Sequence, residues 1–282
     1  MTVSLWEDQI GAPPERGRLE GPTTADVAIV GGGLTGLWTA YYLNQADPSL
    51  DVVVLDQERI GFGASGRNGG WLSALFPQAA AALARRHGAP AALAQRAAMR
   101  ATVGEVARVC AEEGIDCDLA LGGTVSVARS ATQLERARAE VAEARTWGDR
   151  HRLLGAAEAR AMLGAADVLG GVHDPDCARV QPARLVRGLA DVLQRRGVRL
   201  LEQTRATALE PGRVRTGAGT VRARHVVRAT EAWTSQLPES RRAVVPVYSL
   251  MIATEPLAES AWEQIGLREA AIAFVGAERI AA

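Results

Sequence analysis

Residues 26–56 read DVAIVGGGLTGLWTAYYLNQADPSLDVVVLD. Two apolar runs, Asp26–Val30 and Asp51–Leu55, flank a segment, Leu34–Asn44, whose apolar residues recur at helical spacing. Such continuous runs suit strands buried on both faces of a parallel sheet. Strand, helix and strand within about 30 residues predict a right-handed βαβ unit with its strands side by side. Gly31, Gly33 and Gly36 stand between the first strand and the helix as G-x-G-x-x-G. Gly31 permits the tight turn, Gly33 leaves room for a diphosphate against the backbone, and Gly36 lets helix and sheet approach. The N–H groups opening the helix, at Leu34 and Thr35, then meet phosphate charge together with the positive end of the helix dipole. Asp56 ends the second strand about 20 positions past Gly36, where a carboxylate accepts hydrogen bonds from a ribose hydroxyl. An acid there favours a free 2′-hydroxyl, hence NAD or FAD over NADP.

Past Asp56 the chain does not enter another crossover helix. It continues QERIGFGASGRNGGW, a glycine-rich loop through residues 63–71. Glycine tolerates positive φ and close approach, so this backbone suits a long ligand. Ser65 offers a hydroxyl for phosphate. Arg67 offers a fork of donors for a diphosphate or for charge on a reduced ring. Asn68 offers a donor for a ring carbonyl. A stretched dinucleotide such as FAD needs contacts beyond the first turn, and this loop is placed to make them.

Composition narrows the partners. Lys+Arg and Asp+Glu both number 32, for a formal net charge of +0. That balance gives no reason to expect nucleic acid or an anionic membrane surface. No apolar run reaches about 18 residues, so no membrane span is expected. The start lacks the pattern of a signal peptide. The three cysteines, Cys110, Cys117 and Cys177, lack metal-ligand spacing and read as reduced thiols, with a cytoplasmic location and no metal.

Along the chain, residues 1–25 read as an extended arm. Ala-rich helices fill 77–113 with a break near Gly88-Ala89-Pro90. A strand is expected at Gly122–Ala128, a helix at Ala131–Trp147, and a helix at Gln181–Arg196 with Pro182 in its first turn. A strand at Val198–Glu202 follows. Thr204–Glu210, Val214–Thr216 and Thr220–Arg222 read as an antiparallel excursion, His225–Ala229 as a separate strand, and Val244–Thr254 as a long alternating strand. His173 is placed in a turn, and His173 and His225 are read as structural; Tyr248 is read as core.

The segments SLW (4–6) and 25–71 resemble the N-terminus of the D-amino-acid-oxidase-like FAD-dependent oxidoreductases, in the branch that includes γ-glutamylputrescine oxidases. GVHDPDCARVQPARLVRGLADVLQRRGVRLLEQTRATALE (171–210), VRARHVVRATEAWTSQL (221–237) and VVPVYSLMIATEPL (244–257) extend the resemblance along the chain. It implies an α/β fold: a Rossmann-like FAD-binding domain with an inserted, incomplete α+β substrate domain. The expected divisions are an arm at 1–25, an FAD domain at 26–80 and 175–243, and a substrate domain at 81–174 and 244–282. By resemblance, Gly31, Gly33 and Gly36 hold the FAD diphosphate and Asp56 the adenosine ribose. Ser65, Arg67, Asn68 and Gly69 lie along diphosphate and flavin. Ala206 meets adenine through its backbone, and Ala229 and Thr230 approach from the later strand.

The implied reaction oxidises a C–N bond in a small amine or amino acid. A hydride passes to the flavin, water hydrolyses the resulting imine, and O2 yields H2O2. A non-O2 electron acceptor, or a flavin-binding subunit inactive alone, are the alternatives. The resemblance assigns no side-chain acid or base here, so no catalytic residue is named. Two residues depart from the family pattern. Arg228 replaces an apolar strand residue, and is expected to pair locally, for instance with Glu231, or to lie at an exposed strand end. Glu231 stands where Asn or Gly is common. Family members are usually longer, which raises the expectation of a partner chain supplying a C-terminal segment.

Overall fold

The computed structural model describes residues 4–267 and 272–275. The described residues divide into two compact units, one of residues 4–69, 113–117 and 181–253, the other of 70–112, 118–180, 254–267 and 272–275.

The first unit is built on a six-stranded sheet. Its strands run in the order Arg199–Leu201, Val52–Leu55, Thr23–Val30, Gly219–Arg228, Arg213–Thr216 and Ala206–Glu210. The first four are mutually parallel and the last two complete an antiparallel ribbon. This is a Rossmann-type core. Val52 to Leu55 are at most 1% exposed, and each such buried side chain contributes about 1.5–3 kcal/mol. Helix Leu34–Ala46 makes the crossover between the central strands, with Leu37, Ala40 and Tyr41 fully buried. The Tyr41 hydroxyl donates to Glu113 at 2.8 Å, and the Arg196 guanidinium lies over its ring at 4.7 Å. Helix Pro182–Arg195 buries Leu185, Val186, Leu189 and Leu193. The Gln181 side chain caps it by accepting from the Arg184 N–H.

Several expectations change. Thr220–Arg222 and His225–Ala229 are parts of one ten-residue strand, Gly219–Arg228, because it pairs with Thr23–Val30 along one edge and with Arg213–Thr216 along the other. The arm is not wholly extended, since Leu5–Asp8 forms a helical turn. Val244–Thr254 belongs to no strand, and its side chains stand exposed, Val247 at 89%, Tyr248 at 85% and Ile252 at 96%. Alternating hydrophobicity predicts a strand only where a neighbouring strand completes the ladder.

The second unit carries a four-stranded sheet in the order Ile272–Val275, Thr124–Ala128, Gly170–Asp174 and Arg152–Gly155. A two-stranded ribbon of Trp71–Ser73 and Cys177–Arg179 lies in the same unit. Val125, Val127, Leu154, Ala159, Leu163 and Val168 form its core. His173 therefore sits in a strand rather than a turn, paired opposite Val125 and Arg152. The expected helix break falls at Gly88, between helices Ala80–His87 and Ala89–Glu113.

Candidate functional site

At the carboxyl end of the parallel strands the first unit opens a cleft, the position where open α/β sheets bind ligands. Gly31 leaves the first strand with φ +113°, a conformation that strains any other residue. A Cβ on Gly31 would lie 2.2 Å from the Ala229 carbonyl oxygen. The turn is therefore bare because a later strand passes directly against it. Gly36 is held as closely, since a Cβ there would lie 2.0 Å from the Gly31 carbonyl oxygen. Its absence lets the helix seat on the turn.

Gly33 differs from both. Its backbone is extended (φ −87°, ψ −175°), and a Cβ would meet chiefly the Ser65 Oγ at 2.7 Å. That hydroxyl accepts from the Leu34 N–H at 2.9 Å. Ser65 thus stands at the start of the helix, beside amides of a first turn that lacks preceding intrahelical acceptors.

Asp56 Oδ2 accepts from the Gly32 N–H at 2.7 Å and Oδ1 from the Glu58 N–H at 2.9 Å. Burial holds its carboxyl above the usual range. The two amides pull it down, and the nearby Glu202 and Glu58 charges reinforce the rise.

Of the residues expected to bind a cofactor, the cleft gathers Gly31, Gly33, Thr35, Asp56, Ser65, Ala206, Ala229 and Thr230 along its walls. Leu34, Gly36, Arg67, Asn68 and Gly69 are not among its lining residues. The Leu34 N–H is taken by the Ser65 hydroxyl, and Gly36 packs against the Gly31 carbonyl behind the wall. Arg67 turns its Nε to the Phe62 carbonyl at 2.7 Å and lays its guanidinium over the Phe62 ring at 4.8 Å. The Asn68 side-chain amide donates to the Ala64 and Ser65 carbonyls at 3.2 and 3.0 Å, bracing the loop from within.

Phe62, Glu231 and Trp233 also line the cleft and were not singled out from the sequence as cofactor contacts. Trp233 Nε1 lies 3.6 Å from where a Cβ on Gly63 would stand. The signal for it was its place just after Ala229-Thr230.

A second hollow, of about 410 Å³, lies beside helix Pro182–Arg195. Its charged side chains oppose one another, as Arg184 and Asp116 do at 3.8 Å. The cleft at the strand ends instead gathers the glycine turn, Asp56 and Ser65.

The two departures from the family pattern have local explanations. Arg228 is exposed and donates to Ser240 Oγ at 2.8 Å, so no buried charge arises. Glu231 adopts φ +43°, which explains why Gly or Asn suits this position. Glu231→Gly is expected to stabilise the protein by about 1 kcal/mol by relieving that strain. A midpoint of thermal unfolding that stays level or falls in the variant would contradict this.

A family model described as FAD dependent oxidoreductase (DAO) matches residues 26–275. The gamma-glutamylputrescine oxidoreductase of Escherichia coli K12 is 33% identical over 243 residues, covering 84% of this chain and 56% of that protein. A probable oxidoreductase, OrdL, of Rhizobium meliloti is 31% identical over 270 residues, covering 90% and 60%. The chain thus spans under two thirds of the length of these curated relatives. Among solved structures, glycine oxidase from Geobacillus kaustophilus aligns with a TM-score of 0.63 at 27% identity, covering 78% of this chain and 58% of that one. L-amino acid deaminase from Proteus vulgaris aligns at 0.64 with 24% identity, covering 79% and 51%, a likeness of fold. Among the described residues no helix is long and apolar enough to cross a membrane, and no group of acidic, His and Cys side chains suits a metal ion.

Proposed function

From the premise that this chain belongs to the DAO family of FAD dependent oxidoreductases, we propose that it binds FAD in the glycine-walled cleft and takes part in oxidising the C–N bond of a small amine or amino acid. The observation that carries the reading is the convergence of Gly31, Gly33, Ser65, Asp56 and Ala229-Thr230 on one cleft at the strand ends. Gly33, with the cleft before it and only the Ser65 hydroxyl close by, supports diphosphate contact at the amides of the first helical turn. Asp56 would hold the ribose, with the Gly32 and Glu58 amides fixing its orientation. Ala206 and Ala229 would offer backbone groups, which do not depend on their side chains. FAD, when bound, supplies the hydride acceptor; the protein's part is to hold and orient.

The relatives' names, gamma-glutamylputrescine oxidoreductase and glycine oxidase, favour an amine or amino acid as the substrate class. Release of H2O2 under air belongs to the same proposal. The test is to purify the chain and record flavin absorption, then add amines and amino acids under anaerobic conditions. Yellow protein that bleaches with one of them is the expected result. Colourless protein that takes up no added FAD would overturn the reading.

A further inference from the structure

The N-terminal turn Leu5–Asp8 is four residues long, too short to persist alone. Ser4 and Glu7 close a capping box: Ser4 Oγ accepts from the Glu7 N–H at 3.2 Å, and Glu7 Oε2 accepts from the Ser4 N–H at 3.3 Å. From this turn three groups reach the glycine-rich loop. Ser4 Oγ donates to the Gly66 carbonyl at 3.2 Å, and Trp6 Nε1 donates to the Asn68 carbonyl at 2.8 Å. The Glu7 carboxylate, with its side chain only 10% exposed, takes Arg59 Nη2 at 2.6 Å on Oε1 and faces Arg67 Nη2 at 3.7 Å from Oε2. Both guanidinium groups lie over the ring of Phe62, at 5.1 and 4.8 Å, and Phe62 lines the cleft. The far side of the turn is tied down as well, by Gln181 Nε2 donating to the Trp6 carbonyl at 2.8 Å.

The loop so held is rich in glycine, and ordering such backbone carries a large entropic cost per residue. If a ligand must impose that order, its affinity falls by the cost; if the protein has already imposed it, the affinity is kept. Burial raises the Glu7 carboxyl, but hydrogen bonds from Arg59 and the Ser4 amide and the charges of Arg59 and Arg67 outweigh it and hold the group below its ordinary value. Glu7 therefore stays ionised near neutral pH and neutralises two arginines that share one aromatic face.

We propose that the turn at Ser4–Asp8 is a clasp that pre-orders the Phe62–Asn68 segment for the cofactor, with Glu7 as the positioning residue acting through Arg67. This deepens the FAD reading and rests on it. The clasp raises cofactor affinity without touching the cofactor: Glu7 sets Arg67, Trp6 sets the backbone at Asn68, and Ser4 sets the backbone at Gly66, the three residues directly after Ser65.

The test uses the full chain stripped of flavin and titrated with FAD by fluorescence quenching. Glu7→Gln is expected to weaken FAD about tenfold. Arg67→Met is expected to weaken it by at least as much, and the double variant no further than about twofold beyond Arg67→Met alone, because both act on one unit. A general loss of stability would instead make the two losses add. Trp6→Phe, which removes the bond to the Asn68 carbonyl, is expected to weaken FAD about threefold and serves if Glu7→Gln does not fold. An FAD dissociation constant within twofold of wild type in Glu7→Gln, or in Trp6→Phe where that variant stands in, or full additivity in the double variant, would overturn the clasp. Failure of the wild-type chain to bind FAD would sink the underlying reading instead. The clasp would then be judged by trypsin cleavage after Arg67: faster in Glu7→Gln supports it, and an equal rate overturns it.

Discussion

Gly33→Val is expected to bind FAD at least about 100-fold more weakly than wild type, a loss of about 2.7 kcal/mol, while keeping its fold. Both halves of that expectation come from the surroundings of Gly33. Its dihedral angles, φ −87° and ψ −175°, are open to any residue, so valine strains no backbone. The nearest atom to an added Cβ is the Ser65 hydroxyl oxygen at 2.7 Å, the end of a short side chain that can rotate away. Rotation breaks the bond from the Leu34 N–H and moves a hydroxyl from the cleft wall. The valine methyls then occupy the space before the first-turn amides. The measurement is a flavin titration alongside thermal unfolding of the flavin-free protein. Affinity within threefold of wild type would refute the diphosphate assignment.

Gly36→Ala is expected to do the reverse and cost stability first. An added Cβ would stand 2.0 Å from the Gly31 carbonyl oxygen, a backbone atom in a turn that is itself pinned against Ala229. Neither partner can rotate aside, so the helix must lift from the turn and loosen the packing around the fully buried Ile29, Leu37 and Tyr41. Overpacking of this kind costs about 3 kcal/mol. The midpoint of thermal unfolding should fall by roughly 6–12 °C, followed through tryptophan fluorescence without flavin. A midpoint within 2 °C of wild type, as an order-of-magnitude threshold, would show that the helix has slack the structure does not display. The two glycines share one motif, yet they separate ligand space from packing space.

Much of the first unit is legible in the sequence, for a physical reason. Val27–Val30 and Val52–Leu55 are buried on both faces, so their residues are apolar without interruption. Helix Pro182–Arg195 shows its buried stripe at helical spacing and opens on a proline. The parts that the sequence conceals are short or non-local. The Leu5–Asp8 turn has too few residues to show a period, and it exists through Glu7, Trp6 and Ser4 reaching residues 52 to 62 positions away. The strand Gly219–Arg228 reads as two pieces in the sequence, and only pairing on both edges unites them. The run Val244–Thr254 carries a strand's pattern and forms no ladder among the described residues.

The order strand, glycine turn, helix, strand, acid was determined by the amino-acid sequence alone, because its apolar runs, glycine spacing and helical period are all written within about thirty residues. The tertiary structure decided what faces that turn. It set the Ala229 carbonyl where the Cβ of Gly31 would be, put Ser65 rather than Arg67 at the start of the helix, and gave Arg67 to Phe62 and Glu7. Those positions depend on strand register and on a loop anchored by a distant chain segment. No local spacing encodes them, since the free energy that selects them is spread over residues that meet only once the sheet has closed.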